Sequence, residues 1–154
     1  MERPIRNSAK ALIIRDGKMA ALRMRDAGGE FFIMPGGGQE GGELLADAAC
    51  REVAEELGLR VDCGELLFVI EGAEGEAFHR VDHVFLCRYL GEIEDPVLQG
   101  DANQVGVDWL DISVLNKLPL YPSRLRRQIM NFYEGRPHRV YLGNESAGDP
   151  ECTD

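Results

Sequence analysis

The chain has 154 residues and only four cysteines, Cys50, Cys63, Cys87 and Cys152, with no C-x-x-C pair and no zinc-like spacing. So few in a chain this long do not make a disulfide scaffold, and reduced thiols are expected. No run approaches the roughly 18 apolar residues of a membrane span, and the N-terminal "MERPIRNSAK" lacks an apolar signal core. A cytoplasmic protein without membrane contact is the expectation. A basic surplus is missing too. The net charge is −10, from 17 Lys and Arg against 27 Asp and Glu. That excludes the basic footprint of a domain that grips nucleic acid through its phosphates, so no nucleic-acid partner is expected. An anionic small molecule remains open if a divalent cation bridges it to the protein. No repeat and no linker interrupts the chain. The length suits one domain with its own core, residues 1–143, and a polar tail, 144–154, "NESAGDPECTD", expected to be disordered.

What is present patterns as mixed α/β. "AKALIIRDGKMAALRMR" is a hairpin turning at Asp16-Gly17 between two apolar runs. "EFFIMP" is a short strand ended by Pro35, and the glycine-rich "GGGQEGG" after it is expected to be a loop. Residues 43–57 contain neither Pro nor Gly and are rich in Ala, Leu and Glu, which predicts a helix with Gly58 at its C-terminal cap. "ELLFVIEG", "FHRVDHVFLCRYLG" and "QVGVDWLDI" pattern as strands. Pro122 and Ser123 introduce a last helix with Leu125, Ile129 and Phe132 on one face and Gly135 beyond it, and "HRVYL" suits an edge strand.

One absence inside the central helix is the most informative. Between Glu43 and Leu57 there is no lysine, and Arg51 is the only arginine. Glu52, Glu55 and Glu56 stand at i, i+3 and i+4, a like-charge arrangement that costs an isolated helix roughly 0.2–0.5 kcal/mol per pair. At about 100° per residue, Ala46, Cys50, Val53, Ala54 and Leu57 form an apolar stripe. The glutamates lie opposite it, mixed with Leu45, Ala48 and Ala49, so they are expected to point away from the sheet. A solvated acidic face is the plain explanation. Against it, a solvated helix normally intersperses cations, and the apolar neighbours imply partial cover. Covered carboxylates without partners are costly, and a hard cation such as Mg²⁺ or Mn²⁺ is the ordinary remedy. The glycines at 36, 37 and 38 let backbone approach an ion or phosphate closely, just before the same helix.

From Gly37 to Leu59 the sequence "GGQEGGELLADAACREVAEELGL" resembles the Nudix box, G-x5-E-x7-R-E-U-x-E-E-x-G-U with U aliphatic. Gly37, Glu43, Arg51, Glu52, Val53, Glu55, Glu56, Gly58 and Leu59 fill its nine specified positions. The resemblance implies an α/β/α sandwich around a mixed β-sheet. It implies an enzyme that hydrolyses the pyrophosphate of a nucleoside diphosphate-linked small molecule by water attack at phosphorus, with Mg²⁺ (or Mn²⁺). By the same resemblance Glu52, Glu55 and Glu56 are metal ligands together with a carbonyl of Gly36 or Gly37, and Glu52 doubles as candidate general base. Arg51 and Glu43 would orient the glutamates. Members often carry a further acid before a tryptophan. Ahead of Trp109 this chain has Gln104 near that place, with Asp101 as the possible substitute.

Four further residues are candidates for the substrate: Arg23 and Arg25 on the strand before the glycines, Gly38, and His83. His79 and His83 form H-x-x-x-H, but on a strand residues four apart lie about 13 Å from each other, too far to share an ion. Arg124, Arg126 and Arg127 make a small basic face, for which solvation is the plain account at net −10. A domain of this fold that binds a nucleotide without cleaving it is the competing function. A homodimer is also open, since many members of the family are dimers.

Overall fold

The computed structural model describes residues 3–154. Strands β1 (Ile5–Arg15) and β2 (Lys18–Asp26) form the expected hairpin, with Arg15 opposite Lys18. Asp16 and Gly17 both have positive φ, 50° and 76°, as a two-residue turn matching strand twist requires. β3 (Gly29–Ile33) pairs antiparallel with β2. The expected glycine loop is instead partly a strand, β4 (Gly36–Gly38), antiparallel to β1. Close approach explains this: a Cβ on Gly36 would run into the Ala9 carbonyl and stand 2.7 Å from Lys10 Cα.

Helix α1 (Leu45–Leu57) stops at Gly58, whose φ of 68° lets its N–H close onto Ala54 O. β5 (Leu59–Gly72) and β6 (His79–Glu92) follow as an antiparallel pair, and β6 also runs parallel to β1. β7 (Gln104–Asp111) returns to β2, and a 3₁₀ segment, Ile112–Lys117, leads to β8 (Leu120–Tyr121), α2 (Arg124–Tyr133) and β9 (Tyr141–Asn144). The mixed sheet runs β8-β3-β2-β1-β6-β5-β9, with β4 on β1 and β7 on β2. "HRVYL" thus yields the edge strand β9.

Alternation along β1 and β6 divides the interior between two layers. Ala9, Ala11 and Ile13 pack with Phe85 and Cys87 against Ala48, Ala49 and Val53 of α1. Leu12 and Val84 face the other way and join Leu125, Ile129 and Met130 of α2. One helix on each face gives the expected α/β/α sandwich.

Three further expectations are corrected. The buried line of α1 runs through Ala48, Ala49 and Val53, whereas Ala46, Cys50, Ala54 and Leu57 are only partly covered. Alanines facing Ala9 and Ala11 let the helix sit close, which turns the glutamates toward the sheet's edge rather than away. Cys63 and Cys87, expected as free thiols, form a disulfide because the β5–β6 register sets them directly opposite, with Cα atoms 4.0 Å apart. A separation of 24 residues gives no local signal of that pairing. Last, the segment expected to be disordered packs back on the fold: Glu145 and Ser146 are buried. The Glu145 carboxylate accepts from the Ser123 amide (2.7 Å), the Ser123 hydroxyl (2.8 Å) and the Arg124 amide (3.0 Å), capping α2, whose own Ser123 side chain makes no cap.

Candidate active site

The fold brings Glu52 and Glu56 of α1 against β4, with Glu55 held beside them by Arg51. Glu52 sits under Gly37, where a Cβ would come within 2.6 Å of its carboxyl carbon. Glu56 accepts a hydrogen bond from the Gly36 amide at 2.7 Å. The Glu52 and Glu55 side chains keep only 17% and 30% of their exposure, so the partial cover expected from their apolar neighbours is present. Burial pushes the Glu56 carboxyl up to about 7. The Gly36 amide and Lys10 draw it down, and the charges of Glu52 and Glu55 push it further up.

Arg51 holds this acidic face together. Its Nε and Nη2 bond both oxygens of Glu43, at 2.8 and 3.0 Å, and Nη2 also reaches the Gly38 carbonyl at 3.0 Å. Its Nη1 bonds Glu52 at 3.0 Å and Glu55 at 3.3 Å. The bonds from Arg51, with help from the Glu40 amide, hold the Glu43 carboxyl down at about 2. Arg51 is raised well above its ordinary value, chiefly by Glu43 and then, against its own burial, by Glu52.

Among the described residues, no three His, Cys, Asp or Glu side chains are gathered to hold a metal ion as they stand. Arg51 lies among the oxygens of Glu52 and Glu55, and the Gly36 amide takes one from Glu56. The donor set nevertheless suits a hard divalent cation: every candidate atom is oxygen, and Gly37 leaves beside Glu52 a space that a Cβ would fill. Asp101 accepts from the Asn103 amide at 3.0 Å, and Gln104 buries an unpaired Oε1 in β7; neither adds a carboxylate to the glutamates.

A cavity of about 730 Å³ opens on the other face of the sheet, lined by Lys10, Phe31, Met34, Arg80, Asp82 and Tyr121 among others. Lys10 pairs in register with Gly36, so β4, only three residues wide, separates the cavity from the glutamates. Arg23 and Arg25 do not line it. Their cross-strand neighbours engage them instead: Asp108 at 3.0 Å for Arg23, and Glu30 for Arg25. His83 shares a row with Ala9 and Gly37 on the helix side, its Nδ1 3.1 Å from Ser8 O. His79 pairs with Glu71 at 2.7 Å and is no partner of His83. Lys10 and Arg80 are the cations that sequence reasoning missed. The available signal was alternation: Lys10 is the one charged residue inside an apolar run that is covered on both faces.

Known proteins are similar to this chain in sequence and in fold. A family model described as "NUDIX domain" matches residues 4–132. MutT4 of Mycobacterium tuberculosis is 35% identical over 117 residues, 72% of this chain and 43% of its own length, so the chain spans less than half of that relative. An RNA pyrophosphohydrolase of Sphingopyxis alaskensis is 28% identical, across 68% of this chain and 75% of its own. A NUDIX hydrolase from Nitrosomonas europaea shares the fold with a TM-score of 0.69 at 21% identity, over 89% of this chain and 93% of its own. The chain belongs to the NUDIX domain family.

Proposed function

We propose that this protein hydrolyses the pyrophosphate bond of a nucleoside diphosphate-linked small molecule, with Mg²⁺ or Mn²⁺, by attack of water at phosphorus. The observation that carries the reading is that Lys10, which lines a cavity of nucleotide size, stands cross-strand from Gly36, whose amide bonds Glu56 on the helix that carries the Arg51-bound glutamates. The family match supports it, as do relatives named for pyrophosphate hydrolysis. One relative is named for RNA, but a net charge of −10 argues against a domain that grips nucleic acid through its phosphates.

Glu52, Glu55 and Glu56, with a carbonyl of Gly36 or Gly37, would hold the cation. When bound, it neutralises charge on the phosphoanhydride oxygens and lowers the pKa of a coordinated water. Glu52, held by Arg51 and covered by Gly37, accepts the proton of the attacking water. Arg51 and Glu43 fix the direction of Glu52 and Glu55 and touch no substrate. Lys10 offers its ammonium to a phosphate oxygen at the edge of β4, and the cavity seats the rest of the molecule away from bulk water. Among the described residues no helix is long and apolar enough to cross a membrane.

The test is phosphate release, with and without added pyrophosphatase, over nucleoside triphosphates, nucleotide sugars, dinucleotides and coenzyme A. Metal-dependent release, lost in Glu52→Gln and Glu55→Gln, is expected. Tight nucleotide binding without any release would replace this reading by that of a binding domain.

A further inference from the structure

The cavity has a wall that the family match leaves out. That match ends at residue 132, yet Glu145, Ser146, Ala147, Gly148 and Asp149 all line the cavity. The segment is fastened along its length. The Glu145 amide donates to Glu71 O at 2.9 Å, while its carboxylate caps α2. The Ser146 hydroxyl accepts from the Glu74 amide at 3.2 Å, and the Ser146 amide donates to Asp149 Oδ2 at 2.8 Å. Farther on, the Cys152 amide reaches the Ser123 hydroxyl at 2.8 Å, and Glu151 meets the buried Arg126 at 3.1 Å. This is a fixed surface, built by the chain's last residues onto the β5–β6 connection and α2.

Its charge is one-sided. Two cations line the cavity, Lys10 and Arg80, against six carboxylates, of which Glu30 is paired with Arg25 and Glu145 is bound in the α2 cap. Arg80 is already taken by Asp82 at 2.8 Å and Glu76 at 2.7 Å. Lys10 is registered with Gly36, where the proposed reaction needs it. An anionic group resting against residues 145–149 would meet the carboxylate of Asp149, with Glu76 beside it and already paired to Arg80. A neutral group bearing hydroxyl or amino donors would find acceptors there.

We propose that the segment Glu145–Asp149 is a substrate-selecting wall: the part of the substrate seated in the cavity is uncharged and polar, and a substrate with an additional anion there is rejected. This rests on the cavity being the substrate seat, and it narrows the class to nucleoside diphosphates whose seated moiety is a neutral base or sugar.

The test uses calorimetry on the 154-residue chain with Mg²⁺, in a Glu52→Gln background that keeps substrate intact. Two matched pairs serve as probes, each differing by one anionic group: UDP-glucose with UDP-glucuronate, and ADP-ribose with its 2′-phosphate. In at least one pair the neutral member is expected to bind about tenfold tighter or more, the scale of one like-charge contact near a protein surface. Adding Asp149→Lys or Ala147→Lys, both at exposed positions, is expected to shrink that ratio by about tenfold. Thermal melts show which variants are folded, and either folded variant decides. Equal binding within both pairs, no binding of any probe, or an unchanged ratio in the folded variants overturns the proposal. Selective binding together with absent metal-dependent turnover in the unsubstituted protein would overturn the hydrolase reading and leave the wall standing.

Discussion

Gly36 and Gly37 are neighbours in one short strand, and alanine at each should fail for a different reason. Gly37 has no positive φ, so its backbone accepts an L residue. Its added Cβ would stand 2.6 Å from the Glu52 carboxyl carbon and Oε1, where carbon contacts prefer roughly 3.5–4.0 Å. The carboxylate is the far end of a flexible chain and yields by about 1 Å. A misplacement of about 1 Å in a reacting group costs on the order of 10²-fold in rate, or about 2.7 kcal/mol of transition-state stabilisation. Folding is barely affected, since Gly→Ala also removes unfolded-state freedom worth about 0.4–1 kcal/mol. Gly36→Ala meets backbone instead: φ is +145°, and the new atom runs into Ala9 O and lies 2.7 Å from Lys10 Cα. Neither the strand nor the φ can relax cheaply, so a loss of about 2–3 kcal/mol is expected, about 5–10 °C in melting temperature for a chain of this size. The assay is kcat/KM with Mg²⁺ beside a thermal melt of each variant. Wild-type turnover in Gly37→Ala would refute the placement of Glu52 at the reacting centre. A Gly37→Ala melt as low as that of Gly36→Ala would refute the separation of the two roles.

Three other outcomes are expected. Lys10→Met should raise KM about tenfold with a smaller change in kcat, the loss of one charge-assisted phosphate contact, measured by steady-state kinetics on whichever substrate the panel names; an unchanged KM removes Lys10 from the site. Glu71 is held below its usual carboxylate range by the hydroxyl of Tyr141 and then by His79, so its pairing stabilises the fold above the unfolded value near 4.5 and is lost as pH falls through the lower native value. Melting temperature should therefore fall less steeply below about pH 4.5 in Glu71→Gln than in the parent. Reducing the Cys63–Cys87 bridge opens a 24-residue span, worth about 3 kcal/mol in the chain-entropy account, so dithiothreitol should lower the melting temperature by roughly 6–12 °C, and Cys87→Ser should be insensitive to it.

Features carried by neighbouring residues were legible in the sequence. The Asp16-Gly17 turn, the helix ending at Gly58 and the glutamate spacing each depend on a stretch of a few residues, so pattern and turn chemistry sufficed. What depended on register was not legible. Cys63 meets Cys87, and Gly36 meets Lys10, because strands distant in sequence align at those residues. The tail was misjudged for a related reason. Its composition is that of a disordered segment, but Glu145 supplies the capping carboxylate that Ser123 does not, and one buried, triply bonded group fixes a polar stretch. Arg23 and Arg25, the substrate candidates, stand outside the cavity lining, each bonded by a carboxylate on the strand beside it, Asp108 and Glu30.

Arg51 explains why three glutamates can share a half-covered face with so little cationic help. An arginine has five N–H donors. Here all five are placed: one on each Glu43 oxygen, one on Gly38 O, one on Glu52 and one on Glu55. Glu56, out of its reach, is the glutamate whose carboxyl is pushed up by burial, and it takes the Gly36 amide instead. A lysine at this position would bring the same charge but three donors from a single point, unable to grip Glu43 bidentately while also reaching Glu52 and Glu55 along a turn of helix. The fork also ties β4 to α1 through the Gly38 carbonyl, so one side chain sets both the direction of the carboxylates and their distance from the glycine strand. The spacing of Glu43, Arg51, Glu52 and Glu55 is therefore that of a single guanidinium measured out along a helix and the loop before it.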